Sequence, residues 1–387
     1  MTRLGDVCDI LNGFAFKSEQ YVDDGIRIIR IANVQKGYIE DSSPVFYPFG
    51  SKDAKKYALE EGDILMSLTG NVGRVAKLSK EFLPAALNQR VACLRIKDGT
   101  DLDKAFLFNL LNSDYFEQKC IAASKGVAQK NMSTEWLKEY EIPMLPLERQ
   151  KEIASVLNKV SELIVLRKEQ LAKLDQLVKS RFIELFGDVK TGIYKFETRK
   201  LGEVAIVGSS HRVFTTEFVE DGVPFYRGTE IGELANGIKP ENPYRITKEH
   251  YDRLASDETK PQIGDLLMPS ICNKGQVWMV DTDEPFYYKD GRVLCISPNR
   301  KLFNCKYLEQ FMREKTLVEY PKLGSGSTFA EFKIFLLKDI DVLIPPIELQ
   351  NQFAVFVEQT DKSKLVIQQS LDKLELLKKS LMQQYFG

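Results

Sequence analysis

The sequence has few of the residues from which catalytic and metal sites are commonly built. It contains two histidines, His211 and His250, and neither an HExxH segment nor a Cys/His cluster, so a histidine-based metal site is not expected. No phosphate loop of the form GxxxxGK[ST] occurs, because GSGST at 324–328 lacks the lysine. We therefore predict no metal, no cofactor and no catalytic residue in this chain.

Two short segments have part of a motif found in enzymes that act on DNA. NPYR at 242–245 lacks the second proline of the NPP[FY] motif of amino-methyltransferases, and no Gly-rich cofactor loop precedes it. ETK at 258–260 corresponds to half of a nuclease ExK motif, but no Pro-Asp dipeptide supplies the acidic partner. We interpret the first segment as a turn, and we disfavour a self-sufficient DNA methyltransferase or nuclease.

The chain also lacks an excess of charge and a long hydrophobic run. With 54 Lys and Arg against 55 Asp and Glu, the formal net charge is −1, so any basic surface must be local. The six cysteines form no CxxC pair, residues 1–10 lack the apolar region of a signal peptide, and no apolar run approaches the ~18 residues of a membrane span. We expect a soluble, reduced, cytoplasmic protein with no membrane partner.

The most regular feature is a pair of proline-free segments, 147–186 and 347–386, which align without a gap. Each follows a proline, Pro146 or Pro346, which marks a helix start. Apolar residues recur at alternating steps of four and three, as in a coiled coil. The seam positions, which are also candidates for partner docking, are Ile153, Leu157, Val160, Ile164, Leu171, Leu174, Phe353, Val357, Ile367, Leu371, Leu374 and Leu381. A helix of this length extends roughly 60 Å and needs a partner, the simplest being its own copy.

Charged and apolar residues trade places between the two copies at four seam positions. The corresponding pairs are Ile164 and Lys364, Arg167 and Ile367, Val178 and Lys378, and Arg181 and Leu381. Our hypothesis is that these charges set the register of the helices or face a partner protein.

The repeat extends into the segments that precede the helices. LGDV at 4–7 returns as LGEV at 201–204, and RVACL at 90–94 returns as RVLCI at 292–296. Short β-branched and aromatic runs between Gly-rich turns predict strands, and apolar residues at helical spacing follow at 103–111 and 305–312. The predicted fold class is α+β, with two similar mixed α/β units, each followed by a long helix, as an internal repeat. The predicted boundaries are 1–146, 147–187, 188–346 and 347–387.

Carboxamide and cationic side chains lie near the predicted strand ends and turns. Arg can bond to guanine O6/N7 and Asn or Gln to adenine N6/N7 in the major groove, so these residue types suit base readout. The candidate DNA-binding residues are Arg30, Asn33, Asn71, Arg74, Asn88, Gln89 and Arg90 in the first unit, and Arg212, Arg227, Thr229, Asn273, Lys274 and Arg292 in the second. Ordinary surface loops that carry such residues are the alternative interpretation.

Two arginine pairs, Arg30 with Arg227 and Arg90 with Arg292, recur at matched places in the two units. Recurrence favours either a shared DNA contact or a shared framework ion pair. Residues that read different sequences should differ, so we expect specificity in the non-repeating loops. Candidate phosphate contacts, with a solvated surface as the alternative, are Lys52, Lys55, Lys56, Lys125 and Lys130.

The domain order and several motifs resemble the DNA-specificity (S) subunit of type I restriction-modification systems over essentially the whole chain. The motifs are LGDV at 4–7, GNVG at 70–73, NQRVACLRI at 88–96, PLERQ at 146–150, GSTF at 326–329 and PIELQ at 346–350. In the second unit GNVGRVA is replaced by NKGQVWM at 273–279 and NQRVA by DGRVL at 290–294.

The resemblance implies a non-catalytic specificity subunit. Each unit would be a target recognition domain that reads one half of a bipartite, asymmetric site in double-stranded DNA. The two helices would pack antiparallel as a spacer, relate the two domains by a pseudo-twofold, and dock two methylation (M) subunits that use S-adenosylmethionine. Restriction (R) subunits would complete the complex. The main alternative is a coiled-coil scaffold or protein-interaction protein with no DNA role.

Overall fold

The two halves of the chain contain similar series of strands and helices. A computed structural model describes residues 1–124, 131–255, 259–324 and 330–387. Within it the chain divides into unit 1, Met1–Glu169 with Gln368–Gly387, and unit 2, Gln170–Ile367. The predicted contacts Lys125 and Lys130, the GSTF segment and Glu258 lie outside the described residues.

Among its described residues, the first globular region contains nine strands and five short α-helices, and a long helix follows it. In chain order these elements are β1 (Thr2–Arg3), α1 (Leu4–Val7), β2 (Cys8–Asn12), β3 (Ile26–Ile29), β4 (Phe46–Tyr47), α2 (Lys52–Lys56), β5 (Ile64–Ser67), β6 (Val75–Lys77), β7 (Ala85–Leu87), β8 (Val91–Ile96), α3 (Lys104–Leu111), α4 (Asp114–Ala123), α5 (Thr134–Glu139), β9 (Glu141–Ile142) and α6 (Leu147–Phe186). Its main sheet has the antiparallel order β2-β8-β5-β6, a second sheet has the order β4-β3-β7 with β3 and β7 parallel, and β1 pairs with β9.

The second globular region repeats this topology. Its elements are β10 (Gly187–Asp188), β11 (Ile193–Tyr194), β12 (Thr198–Lys200), α7 (Leu201–Val204), β13 (Ala205–Gly208), β14 (Val223–Tyr226), α8 (Gly228–Ala235), β15 (Tyr244–Ile246), α9 (Lys248–Leu254), β16 (Leu266–Pro269), β17 (Trp278–Met279), β18 (Tyr287–Tyr288), β19 (Val293–Pro298), α10 (Cys305–Glu319), α11 (Ile334–Lys338), β20 (Asp341–Leu343) and α12 (Ile347–Phe386). The sheets are β13-β19-β16-β17, β15-β14-β18 with β14 and β18 parallel, and β12-β20. The α+β class and the internal repeat are therefore confirmed.

The units differ most in the segment that follows β3 in unit 1 and β14 in unit 2. In unit 1, β3 is followed by a single 3₁₀ turn, Ile31–Asn33, whereas in unit 2, β14 is followed by the eight-residue helix α8. Unit 2 also has the β10–β11 hairpin directly after α6. Gly187 in this hairpin has φ +102°, and a Cβ there would lie 2.3 Å from the carbonyl oxygen of Ile193, so glycine is required.

Each long helix contributes to the hydrophobic core of both globular regions. Ile153 and Leu157 of α6, with Phe386 of α12, belong to the main core of unit 1. Phe186 of α6 and Phe353 of α12 belong to that of unit 2, with their rings 5.4 Å apart. Fully burying one such side chain stabilises the fold by about 1.5–3 kcal/mol, so the helix ends are anchored by their own packing.

Within each unit the two helix segments run antiparallel. In unit 1, Arg149 lies over the ring of Tyr385 at 6.0 Å, and Lys168 pairs with Glu375 at 2.8 Å, so numbers rise along one helix as they fall along the other. In unit 2, Asp175 pairs with Lys364 at 2.6 Å. Every predicted seam residue is buried or partly buried, which confirms the antiparallel coiled coil; its role in partner docking stays a prediction.

Candidate nucleic-acid interface

In unit 1, most of the predicted DNA-binding residues lie at one end of the two sheets. The parallel strands β3 and β7 end side by side, because Ile29 is in register with Leu87 and accepts a hydrogen bond from the N–H of Asn88 at 3.1 Å. On the neighbouring sheet the N–H of Leu68 donates to the carbonyl of Arg90 at 2.9 Å, so the turns that follow β5 and β7 emerge together. The residues that we call the unit 1 edge are Arg30, Asn71, Arg74, Asn88, Gln89 and Arg90.

The same backbone hydrogen bonds form a matching edge in unit 2. The N–H of Lys289 donates to the carbonyl of Tyr226 at 2.9 Å, and the N–H of Ser270 donates to that of Arg292 at 2.9 Å. The residues that we call the unit 2 edge are Arg227, Thr229, Asn273, Lys274 and Arg292. Since backbone geometry is shared while side chains differ, each edge presents its own set of donors and acceptors.

Asn33 has a clear structural role behind the unit 1 edge. It is 4% exposed, its Oδ1 accepts from the backbone N–H of Arg30 at 2.9 Å, and its Nδ2 donates to the carbonyl of Glu40 at 2.7 Å. This carboxamide closes the turn that follows β3. Because it is buried, it has little access to a base edge. Its DNA-binding role stays a prediction, with the turn-closing role as its observed contribution.

The remaining unit 1 residues differ in how firmly they are held. The guanidinium of Arg30 donates to the carbonyl of Ser43 at 2.7 Å, and that of Arg74 donates to the side-chain oxygen of Gln35. Asn71, Gln89 and Arg90 are exposed, while Asn88 is half-buried and accepts from the N–H of Gln89 at 2.7 Å.

Arg90 stands out because of its backbone. Its φ is +67°, in the left-handed region that a residue with a Cβ rarely occupies. In unit 2 the left-handed residue of the equivalent turn is Gly291, at φ +61°. The unit 1 turn therefore keeps an exposed arginine where a glycine would be less strained.

Both recurring arginines of unit 2 form ion pairs with carboxylates. Arg227 pairs with Glu230 and also lies 4.5 Å from the ring centroid of Tyr244, and Arg292 pairs with Glu331 at 2.6 Å. Burial raises the pKa of Glu230, but hydrogen bonds from the side chain and backbone of Arg227 outweigh burial and hold that pKa below its ordinary value. The framework interpretation thus has direct support in unit 2, where carboxylates fix both guanidinium groups.

The other unit 2 candidates are more accessible. Thr229, Asn273 and Lys274 are exposed at the edge. Arg212 is also exposed, and its guanidinium lies 5.0 Å from the ring centroid of Phe214.

Lys52, Lys55 and Lys56 are exposed on α2. The carbonyl of Tyr57, which follows α2, accepts from the N–H of Leu87 at 2.9 Å. This bond places the end of α2 beside the end of β7, so the lysines flank the unit 1 edge, where a DNA backbone would pass if the edge faced a groove.

Comparison with known proteins points to one family. A family model described as the type I restriction modification DNA specificity domain matches residues 1–176. The putative type I restriction enzyme MjaX specificity subunit of Methanocaldococcus jannaschii is 27% identical over 417 aligned positions, which cover 98% of this chain and 91% of that protein. The chain is similar to type I restriction-modification specificity subunits over nearly its whole length.

One further relative and one solved structure are also similar to this chain. The Escherichia coli type I restriction enzyme EcoAI specificity subunit is 35% identical over 167 residues, 42% of this chain but only 28% of that protein. The solved type I restriction-modification system S subunit from M. genitalium covers 100% of this chain and 95% of its own, with a TM-score of 0.58 and 16% identity. The structural likeness supports the fold.

Two carboxylates that hold edge arginines were not anticipated from the sequence. Glu230 lies one helical turn after Arg227, a spacing that could have been recognised. Glu331 lies far from Arg292 in the sequence, and no local pattern links them. Gln35, which orients Arg74, is likewise distant in sequence.

No group of His, Cys, Asp and Glu suited to a metal ion occurs among the described residues. Burial raises the pKa of the Cys8 and Cys120 thiols to about 12, so both are neutral near pH 7 and poor nucleophiles. None of the described helices has the length and hydropathy needed to cross a membrane.

Proposed function

We propose that this chain is a type I restriction-modification specificity subunit that reads DNA directly, with each unit contacting one half of a bipartite, asymmetric double-stranded site. The target recognition domains would be residues 1–146 and 188–346, and the spacer helices 147–187 and 347–387. The observation that carries the proposal is the duplicated edge, where the same backbone framework presents Asn71, Gln89 and Arg90 in one unit and Asn273, Lys274 and Arg292 in the other. Such side chains match the donor and acceptor pattern of base edges.

The long helices are proposed to dock two methylation subunits, and restriction subunits complete the complex in the cytoplasm. Large apolar side chains are exposed along both helices, including Leu166 at 53%, Val366 at 66% and Leu376 at 69%. Exposed apolar surface of this kind is typical of protein contacts. S-adenosylmethionine would bind to the methylation subunits, and this chain would have neither cofactor nor catalytic activity.

The near-neutral net charge of the chain limits its affinity for DNA. With a formal net charge of −1, the chain alone has little general attraction for the DNA backbone. We expect the isolated subunit to bind weakly and the methylation subunits to supply most of the phosphate contacts.

The deciding experiment is selection of bound duplexes from a random pool by this chain co-expressed with its methylation subunit. Two short conserved half-sites separated by a fixed gap are expected. Arg90→Ala should relax one half-site and Arg292→Ala the other, while the exposed Lys80→Ala outside both edges should change neither. Enrichment of no sequence would contradict the proposal.

A second candidate is a coiled-coil scaffold without a DNA role, which the exposed apolar helix residues alone would also suit. In that case the methylation subunit would still assemble on the chain, but the complex would shift all duplexes equally in an electrophoretic assay. Incubation of the purified chain with labelled methyl donor and DNA tests the absence of its own methyltransferase activity.

A further inference from the structure

Glu230 holds the recurring arginine of unit 2 by one side of its guanidinium. Glu230 is 5% exposed. Its Oε2 accepts from the backbone N–H and from Nε of Arg227, at 2.8 and 3.2 Å, and its Oε1 accepts from Nη2. The guanidinium also lies over the ring of Tyr244, which in turn stacks on Phe218 with the ring centroids 4.6 Å apart. A carboxylate and an aromatic ring together therefore fix the direction of this guanidinium.

The opposite side of the Arg227 guanidinium remains available for a ligand. Its Nη1 makes no hydrogen bond to the part of the chain that the structure describes, and the side chain is 43% exposed. Glu230 takes only Nε–H and one N–H of Nη2, so the remaining N–H groups of Nη1 and Nη2 form a planar fork. Such a fork can donate to two neighbouring acceptors at once.

This fork emerges next to the other arginine of the unit 2 edge. Arg227 directly follows β14, and Gly228 begins α8 beside the turn that contains Arg292. A Cβ built on Gly228 would lie 3.8 Å from the carbonyl oxygen of Arg292 and 3.1 Å from the Cβ of Pro269. The two arginines thus leave adjacent stretches of backbone.

The charges around Arg227 favour a base over a phosphate as its ligand. Glu230 compensates its positive charge, and Glu233 is a second carboxylate whose charge acts on it. The neighbouring charged groups are the pair of Lys289 with Asp290, the pairs of Arg292 and Lys333 with Glu331, and the exposed Lys274. Phosphate binding depends on uncompensated positive charge, whereas a base edge is recognised by the positions of its donors and acceptors. A fixed but compensated fork suits the second task.

The equivalent arginine of unit 1 is held differently. Asn33 occupies the place of Glu230, because its Oδ1 accepts from the backbone N–H of Arg30 at 2.9 Å. The Arg30 guanidinium donates to the carbonyl of Ser43 at 2.7 Å, and its buried Nε has no hydrogen-bond partner among the described residues. A carboxylate at this position therefore directs the guanidinium in unit 2 alone.

We propose that Glu230 is a positioning residue that aims the free fork of Arg227 at a guanine in the half-site read by unit 2. Guanine presents two acceptors, O6 and N7, in the major groove, and a bidentate arginine is the commonest contact that selects it. The inference rests on the proposed function and names one base that the site contains. Lysine cannot replace Arg227 in this role, because an ammonium lacks the planar fork.

The test removes one acceptor from guanine. Each guanine of both half-sites is exchanged in turn for 7-deazaguanine, which keeps O6 and Watson–Crick pairing but lacks N7. Gel shift then measures binding by the chain in complex with its methylation subunit. At one guanine the exchange should weaken wild-type binding about tenfold, whereas in Arg227→Ala and Arg227→Lys it should change affinity by less than about twofold.

Two glutamine variants on α8 separate positioning from folding. Glu230→Gln keeps the length of the side chain but has a single acceptor oxygen, so the ratio of affinities for guanine and 7-deazaguanine should fall from about tenfold to about threefold or less. Glu233→Gln removes the neighbouring charge and should leave the ratio unchanged. If Glu230 were only structural, Glu230→Gln would weaken binding to both duplexes equally, and a ratio equal to that of wild type would overturn the proposal.

Failure of this inference can be distinguished from failure of DNA reading. If selection from the random pool returns two half-sites but no guanine responds differently in wild type and Arg227→Ala, the chain reads DNA without this contact and the inference is overturned. If selection enriches no sequence, the proposed function and the inference are both overturned. Thermal unfolding of each variant checks that the fold is retained.

Discussion

The side-chain oxygen of Gln150 accepts a hydrogen bond from the backbone N–H of Asp103 at 2.8 Å. The amide nitrogen of the same side chain donates to the carbonyls of Asp101 and Leu145, at 2.9 and 2.8 Å. Gln150 is fully buried, so this carboxamide joins the first turn of α6 to the segment that begins α3. Gln350 makes the equivalent three bonds in unit 2.

Gln150→Leu should destabilise unit 1. The substitution leaves the N–H of Asp103 and the carbonyls of Asp101 and Leu145, all in partly buried contacts, without this partner, and an unsatisfied buried group costs about 1–3 kcal/mol. We expect a loss of roughly 3 kcal/mol in the free energy of unfolding, measured by urea denaturation. Lys151→Leu, at the exposed neighbouring position, is the control and should change stability by less than about 1 kcal/mol. Equal effects of the two substitutions would contradict the assigned role.

Arg90→Gly separates backbone strain from DNA contact. At φ +67° a Cβ costs about 1 kcal/mol, so Arg90→Gly should be more stable than Arg90→Ala by about that amount. Both variants lose the guanidinium, and both should bind target DNA about tenfold more weakly if it makes a bidentate base contact. Thermal unfolding and gel shift with the methylation subunit measure the two effects. Wild-type DNA affinity in both variants would remove Arg90 from the interface.

The ends of the long helices could be predicted from neighbouring residues in the sequence, whereas the contacts of the arginines could not. Pro146 before α6 and Gly187 after it bound an uninterrupted heptad pattern, and the helix spans Leu147–Phe186 as that pattern predicts. The partner of Arg292, Glu331, is brought to it only by the tertiary fold. Sequence spacing contains no information about such a pair.

Helix α10 shows why apolar periodicity alone does not predict the full length of a helix. The pattern predicts helix over 305–312, yet α10 continues to Glu319. Beyond residue 312 this helix buries Thr316 and also Lys315, which pairs with Glu319 at 3.0 Å. A buried charged group appears as surface in a hydrophobicity pattern, so the length of the helix was underestimated.

Lowering the pH should weaken the pair between Glu230 and Arg227. The folded-state pKa of Glu230 lies below its ordinary value of 4.5, so its contribution to stability is complete above that value and is lost as pH falls through the depressed pKa. Glu230→Gln should therefore show a shallower fall in unfolding free energy below pH 4.5 than wild type. Glu233→Gln, on the same helix, is the control. Parallel pH profiles of wild type and Glu230→Gln would show that the pair contributes nothing.

Lys378→Met should stabilise unit 1. Burial and the charges of Lys168 and Lys36 lower the pKa of this seam lysine, despite the nearby Glu375. A lowered lysine pKa means that the charged form is disfavoured on folding, and this cost disappears as pH rises through the folded pKa towards 10.5. At pH 7 the melting temperature should rise by about 2–4 °C, and the gain should shrink as the pH rises towards 10.5. The exposed Lys379→Met should change little; a lower melting temperature for Lys378→Met would count against the assignment.

Shortening both long helices by one heptad should shorten the gap between the DNA half-sites. Lys168 pairs with Glu375 in unit 1, and Asp175 pairs with Lys364 in unit 2. A heptad deleted from one antiparallel helix, residues 168–174, must therefore be matched by a heptad deleted from the other, residues 367–373, to keep the seam in phase. Seven residues of helix extend about 10 Å, which corresponds to roughly three base pairs at 3.4 Å each. Methylome sequencing of a host with the altered subunit and its methylation subunit should return the same half-sites with a gap shorter by about three. Alanine at the exposed positions of the same segments preserves length and should preserve the gap; an unchanged gap after the double deletion would refute the helices as the spacer.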